Sequence, residues 1–378
     1  MKDKKIAIVT WTKWNNYGTI LQSYALYIII QRLGFNVKVL NDKLISSTDC
    51  VLKYGIPTKF QYLRNEIKNL FQKRNHVNQI IYKREHKCNK FKHKVIQYHT
   101  KYVDYKHLPL LEKEFDAFIC GSDQIWTPND IFFDPYYFLD FVESKPKIAY
   151  APSIGTSNYP ESKKPLVARM LNSFSYISTR EETGKKILSN LTNKPIQQCL
   201  DPTLLLNGKE WIDLLHLSTK RELGNYALCY FLGESDWYRN KVNTICKSKG
   251  LKKVIIPWLK KDIDNISSAE LIIPDPIDFL NLILNASFIF TDSYHGFIFS
   301  LQLHKEVFVF SRFADDDSTS QNSRVKDFCT KLDLQQRYIN INEEIDLNDK
   351  INFHNIDTKL SILRKDSISY LQEALKAI

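Results

Sequence analysis

No two cysteines in this chain are spaced as CxxC. The seven stand at positions 50, 88, 120, 199, 229, 246 and 329, and Cys120, Cys199 and Cys229 lie inside apolar runs. That pattern excludes a disulfide frame and a zinc ribbon, and it reads as reduced core thiols in a cytosolic protein. Also missing is any run of roughly 18 to 20 apolar residues, the length a membrane span requires. The opening MKDKKIAIVTWTKWNNYG holds an apolar run too brief for a signal-peptide core. A soluble, cytoplasmic protein is therefore expected. There is no GxGxxG, no Walker loop and no EF-hand spacing, so NAD, ATP and calcium are not indicated. Asp315, Asp316 and Asp317 sit in a Ser-rich loop and read as solvated acids, so no metal is expected. No low-complexity tract or short internal repeat interrupts the chain.

What is present is ample core material. The chain has 378 residues, 43% hydrophobic and 13% aromatic, enough for two ordinary domains. Its net charge of +11 is concentrated: Lys59 to Lys106 carries thirteen Lys or Arg against Glu66, Glu85 and Asp104, a net +10. Apolar residues at helical spacing (Phe60, Leu63, Ile67, Leu70, Phe71, then Ile80 and Ile81) predict one or two basic amphipathic helices over about 57–107. They fit either a solvated surface or a patch for an anionic ligand or membrane leaflet, the inner face being the expected one. Nucleic acid is not expected as a partner, since the segment has no recognition motif and the rest of the chain is not basic.

KKIAIVTW, NNYG, TILQSYALYIIIQRLG and FNVKVLN read as strand, loop, helix with a glycine stop, and strand. After the basic insertion come FDAFICGSD, KIAYAPSIG, FSYISTREETGKKILSN and IQQCLDPTLLL. A second series starts near Asn225, and the tail LSILRKDSISYLQEALKAI reads as one amphipathic helix. Alternation of strands and helices predicts an α/β protein with two Rossmann-like domains of parallel sheet. The expected division is 1–205 and 206–378, with a cleft between them.

Ligands of such sheets bind at the carboxyl ends of strands, where helix N-termini present N–H groups. That rule selects the candidates. In NNYGT, Asn16 and Gly18 form either a tight turn or a helix N-terminus that takes an anion or sugar hydroxyl. In ICGSDQIW, Ser122 and Asp123 are either N-caps or ligand contacts, and Gly121 would let a ligand approach the backbone. Arg180 follows a strand, ahead of Glu181 and Glu182. The acids suit a helix N-terminus and the arginine does not, so Arg180 is a candidate carboxylate or phosphate clamp. In TDSYHG, His295 is either a structural hydrogen-bonder or an acid-base group, with Asp292, Ser293 and Tyr294 beside it. Arg312, Asn322 and Arg324 follow the next strand, and Arg324 opens a helix.

Taken in order, NNYGTILQSYAL, FDAFICGSDQIW, IAYAPSIG, STREETG, LDPTLLL, TDSYHGFIFSL and NSRVKDF resemble the polysaccharide pyruvyl transferase family. The resemblance implies two Rossmann-like domains in a glycosyltransferase-B-like arrangement, with 1–205 the acceptor side and 206–378 the donor side. It also implies transfer of pyruvate from phosphoenolpyruvate to a sugar diol, as a cyclic ketal, with release of phosphate. The acceptor would be a sugar such as galactose, or a lipid-linked oligosaccharide in cell-surface polysaccharide synthesis, and no cofactor is implied beyond the donor. By motif match, Arg180 falls on the family's arginine clamp and His295 on its catalytic histidine. Some members carry an arginine two residues before that histidine, where this chain has Ser293, so a second cation is expected from Arg312 or Arg324. Two readings compete with this one. A nucleotide-sugar glycosyltransferase of the same architecture would use Asp292 for the ribose, and a non-catalytic adaptor would work at a membrane surface.

Overall fold

The computed structural model describes residues 4–42, 45–46, 76–101, 103–219, 223–264, 270–314 and 320–378. The part of the expected basic helices at 57–75 and the acids 315–317 therefore lie outside the described residues. The chain divides into two units. The first is Met1–Asn75, Asn89–Leu205 and Leu363–Ile378, and the second is His76–Cys88 and Leu206–Ile362.

In the first unit, KIAIV and AFIC are buried at every position after Lys5, which is the signature of strands covered on both faces. They become β1 (Lys5–Val9) and β6 (Ala117–Cys120). Between them come α1 (Tyr17–Arg32), β2 (Asn36–Leu40), β3 (Ile45–Ser46), α2 (His76–Val95), β4 (Tyr98–His99) and β5 (Val103–Asp104). After β6 follow β7 (Lys147–Ala149), α3 (Lys164–Asn172), β8 (Tyr176–Thr179), α4 (Glu182–Ser189) and β9 (Ile196–Gln198). The main sheet runs β4-β2-β1-β6-β7-β8-β9 with every pair parallel, while β3 and β5 pair separately. Counted along the chain this is the order 3-2-1-4-5-6-7, so the connection reverses between β1 and β6, where such sheets open a crevice. Gly34, at φ +93°, stops α1 as its sequence predicts.

The second unit holds α5 (Gly208–Leu215), β10 (Tyr226–Tyr230), α6 (Asp236–Ser248), β11 (Lys252–Ile255), α7 (Lys260–Asp264) and α8 (Pro276–Asn285). It continues with β12 (Phe288–Thr291), α9 (Tyr294–Gln302), β13 (Glu306–Phe310), α10 (Ser323–Leu332) and β14 (Tyr338–Ile339). Its sheet runs β11-β10-β12-β13-β14, again all parallel. That is the order 2-1-3-4-5, with its reversal between β10 and β12. The final helix α11 (Phe353–Lys376) starts seven residues earlier than the LSIL motif at Leu360 suggests. Its residues to Ile362 belong to the second unit and those from Leu363 to the first.

In the described part of the basic segment α2 is the single α-helix, with β4 and β5 after it. Three of its cations turn inward: Arg84 donates to Pro257 O, Lys87 to Ile273 O and Lys92 to Thr12 O. Arg84 also stacks on Trp258, 4.0 Å from the ring centre. Among the described residues, no helix is long and apolar enough to cross a membrane.

Candidate functional site

In the second unit the reversal point is built around Asp292, the first residue after β12. Its side chain is fully buried. It accepts hydrogen bonds from Leu232 N and Gly233 N, each at 2.7 Å, and from the Tyr238 hydroxyl at 3.0 Å. Burial first, and then the Asp292 charge, push the Tyr238 phenol well above its usual range, so it stays a neutral donor. Arg312, just past β13, donates from Nη2 to Asp292 O at 2.7 Å, and its Nε lies 3.4 Å from Asp292 Oδ2. Gly233 is obligatory here because a Cβ would stand 2.7 Å from Arg312 Cγ and 2.8 Å from Asp292 Oδ2. Both Asp292 oxygens are thus committed within the protein, which leaves it unsuited to the ribose contact that the glycosyltransferase reading needs.

Ser293 is the N-cap of α9, its Oγ accepting from Gly296 N at 3.3 Å. His295 therefore stands in the first turn of that helix, 6% exposed, with its ring edge-on to Tyr294 at 5.4 Å. Gly296 carries no side chain for a steric reason: a Cβ would meet Thr291 Oγ1 at 2.7 Å. Asn322 does not cap α10. Its Oδ1 accepts from Arg312 N and its Nδ2 donates to Phe313 O, so it clips the loop that carries Arg312. Arg324 departs from expectation, since its Nε and Nη2 are taken up by Gln321 O and Gln321 Oε1, a residue of its own helix entry. The structure thus joins Asp292, Arg312 and Asn322 in one network at the carboxyl ends of β12 and β13, with Ser293 and His295 on the adjoining helix turn.

The first unit holds two further clusters. At the β1/β6 reversal, Asn16 caps α1 by accepting from Gly18 N. Gly18 is consequently inside the first helical turn, not in a strand-to-helix turn, and its N–H is already used. Asp123 has a left-handed backbone at φ +73°. Its carboxylate accepts from Thr19 Oγ1 and from Gln124 N. The N-cap reading of Ser122 and Asp123 fails because no helix follows β6 directly. Gly121 packs against Leu26 and Thr10, each 3.2 Å from where its Cβ would be, so its smallness serves packing and not ligand approach.

Arg180 is engaged more fully than its place in the sequence suggests. Its side chain is 2% exposed, with Nη1 donating to Asp201 Oδ2 at 2.8 Å and Nε to Glu181 Oε1 at 3.1 Å. Ser122 Oγ joins it on Asp201 Oδ2, Thr203 donates to Oδ1, and Ser153 Oγ donates to Glu181. One guanidinium shared by two carboxylates gives a cluster of formal charge −1, which is not an open clamp for a dianion. Asp201 was the residue to find: it stands before Pro202 in LDPT, a sequence sign of a turn or cap, and it is the hub that ties Ser122 to Arg180. Arg180 and His295 share one piece of local construction. Thr179 and Thr291 end their strands, the first hydroxyl donating to Pro152 O in the loop after β7 and the second to Tyr230 O at the end of β10, and a glycine five residues on, Gly184 or Gly296, packs on that hydroxyl.

Among the described residues no group of three His, Cys, Asp or Glu could hold a metal ion. A family model described as polysaccharide pyruvyl transferase matches residues 16–312. A comparison with curated protein sequences returns no match. Similar solved structures include the UDP-GlcNAc 2-epimerase of Neisseria meningitidis bound to UDP-GlcNAc, at 11% identity over 96% of this chain and 99% of that one, TM-score 0.47. Others are the glycosyltransferase SnogD of Streptomyces nogalater, at 10% identity over 99% of each chain, TM-score 0.46, and an E. coli heptosyltransferase with ADP, at 10% identity over 95% and 99%, TM-score 0.42.

Proposed function

Because the chain belongs to the polysaccharide pyruvyl transferase family, we propose that it moves the pyruvyl group of phosphoenolpyruvate onto two hydroxyls of a sugar, closing a cyclic ketal. The observation that carries this reading is an imidazole and a held guanidinium at the carboxyl ends of two adjacent strands, β12 and β13. His295 opens the helix after β12, and Arg312 is fixed to the backbone of Asp292 at the same place. A donor with a carboxylate and a phosphate needs cations, and its methylene carbon needs a proton before C2 becomes electrophilic.

In this reading His295 delivers the proton to the methylene carbon and a sugar hydroxyl oxygen bonds to C2. The C2–O bond to phosphate then breaks, and the second hydroxyl closes the ring. The diol loses two protons: one restores His295 and the other leaves with phosphate. Arg312 takes an anionic end of the donor, ahead of Arg324, which Gln321 engages, and ahead of Arg180, which two carboxylates share. The acceptor is a galactose-type sugar, and a lipid-linked one fits the basic segment 59–106.

The test is phosphate release from phosphoenolpyruvate with a panel of galactosides, for the wild type and for His295→Gln and Arg312→Lys. We expect acceptor-dependent release, reduced at least about a hundredfold by His295→Gln, with the KM for the donor raised by Arg312→Lys. UDP-sugar hydrolysis without phosphate release from any mixture would sink the reading in favour of a glycosyltransferase.

A further inference from the structure

At the carboxyl end of β1 the chain reads TWTKW, and its two tryptophans are built differently from their neighbours. Trp126, in the same core, donates its indole N–H to Tyr137 O at 3.1 Å. Trp11 is 9% exposed and its Nε1–H has no acceptor, and the Nε1–H of half-buried Trp14 has none either. Buried indole N–H groups ordinarily find a partner, and leaving one without costs roughly 1 to 3 kcal/mol. Two within four residues, beside the strand where the sheet order reverses, call for a reason.

The loop bearing them is pinned. Thr12 N donates to Asp42 Oδ2 at 3.1 Å, Asp42 N to Thr12 Oγ1 at 3.0 Å, Tyr137 Oη to Asp42 Oδ2 at 2.9 Å, and Lys92 Nζ to Thr12 O at 2.8 Å. Both indoles pack against Phe132 at 5.8 Å, one tilted and one edge-on. An aromatic wall with indole donors and no acceptor of its own matches a pyranose, which has a flat C–H face and a rim of hydroxyl and ring oxygens able to accept.

We propose that Trp11, Trp14 and Phe132 form the acceptor-sugar subsite, with the pyranose against the Trp14 ring and its oxygens taking the two indole N–H groups. The inference rests on the transferase reading above for the class of acceptor. Lys13 Nζ lies 5.5 Å over the Trp14 ring, and a sugar on that face would displace it, exchanging a cation–π contact of about 0.5 to 1 kcal/mol for C–H stacking.

The test is titration of methyl β-D-galactoside, with glucoside and mannoside controls, into the full-length protein without phosphoenolpyruvate, read by tryptophan fluorescence and saturation-transfer NMR. We expect saturable galactoside binding in the wild type, weakened about tenfold by Trp14→Phe, which keeps a ring and removes the N–H. Trp258→Phe, in the other unit, should leave binding unchanged. Trp14→Phe and Trp11→Phe binding like the wild type would overturn the proposal, as would no binding of any pyranoside. Binding that maps to Trp14, with no phosphate release in the earlier assay, would keep the subsite and overturn the pyruvyl reading. Release with an unaltered acceptor KM in Trp14→Phe would do the reverse.

Discussion

Asp292→Asn changes one atom at the centre of the second unit's site, and its cost can be worked from the contacts. The carboxylate accepts from two backbone N–H groups at 2.7 Å, one on each oxygen, and from Tyr238 on Oδ2. An amide has one acceptor oxygen, so whichever way it is turned, its NH2 faces Leu232 N–H or Gly233 N–H. Tyr238 can rotate its hydroxyl to accept, but a backbone N–H cannot. The variant therefore leaves at least one buried donor unmatched, roughly 1 to 3 kcal/mol, and removes a charge-assisted bond of similar worth. Arg312 also loses the negative charge beside its Nε. We expect a total near 3 kcal/mol, which for a unit of this size lowers Tm by roughly 6 to 12 °C. Circular dichroism melting measures that, and the donor KM measures the placement of Arg312. A Tm within about 2 °C of wild type would refute the burial argument. Lost stability with an unaltered KM would refute the link to Arg312.

Three further outcomes are expected. Gly233→Ala places a methyl 2.7 Å from Arg312 Cγ and 2.9 Å from Tyr238 Oη; overpacking of this kind costs about 1 to 3 kcal/mol, and the donor KM should rise more than kcat falls. Asp116 is held below the usual carboxylate range chiefly by the Lys5 N–H, against a smaller effect of burial and with help from Lys4. Its stabilising contribution is thus present above the unfolded value and lost as pH falls through the folded one. Asp116→Asn should cost about 1 kcal/mol at neutral pH, and the difference in urea midpoint should vanish well below about pH 4. Association of the basic segment with anionic vesicles should be salt-sensitive and weaker than its net charge suggests, since Arg84, Lys87 and Lys92 are committed to carbonyls. Sedimentation that stays negative at low salt would count against it.

Local signals in the sequence were legible where the physics is local. Asn16 before a helical run and Gly34 after it mark α1, and the continuous apolar runs mark parallel strands. The carboxyl-end rule also led to Asp292, Ser293 and His295, which stand at the reversal point of their sheet. What failed was non-local. Nothing near Arg180 in the chain announces that Asp201, twenty-one residues on, will hold its Nη1. Gly121 reads as room for a ligand until Thr10 and Leu26 arrive from another strand and helix. Ser122 and Asp123 carry the chemistry of a helix cap, yet the chain after β6 forms no helix, so their side chains turn to Asp201 and Thr19 instead. Gly233 carried no recognisable signal, because its need arises from Arg312 and Tyr238 approaching from two other elements.

Ser293 is where these threads meet. An arginine in its place would lack the oxygen that accepts from Gly296 N, and its positive charge would face the positive end of α9. This chain keeps the cap, worth about 1 kcal/mol, and carries its cation at the end of the next strand over. There Arg312 reaches back to the carbonyl of residue 292, one position before the cap. Asp292 then does two things at once: it holds the loop after β10 through Leu232 and Gly233, and it fixes the Arg312 guanidinium, the cation we propose for the donor. On the proposed reading, such an arrangement would couple donor binding to the stability of the second unit. The same substitution at Asp292 should therefore disturb both, whereas one at Arg324, a buried side chain that Gln321 holds, should lower stability and leave the donor KM unchanged.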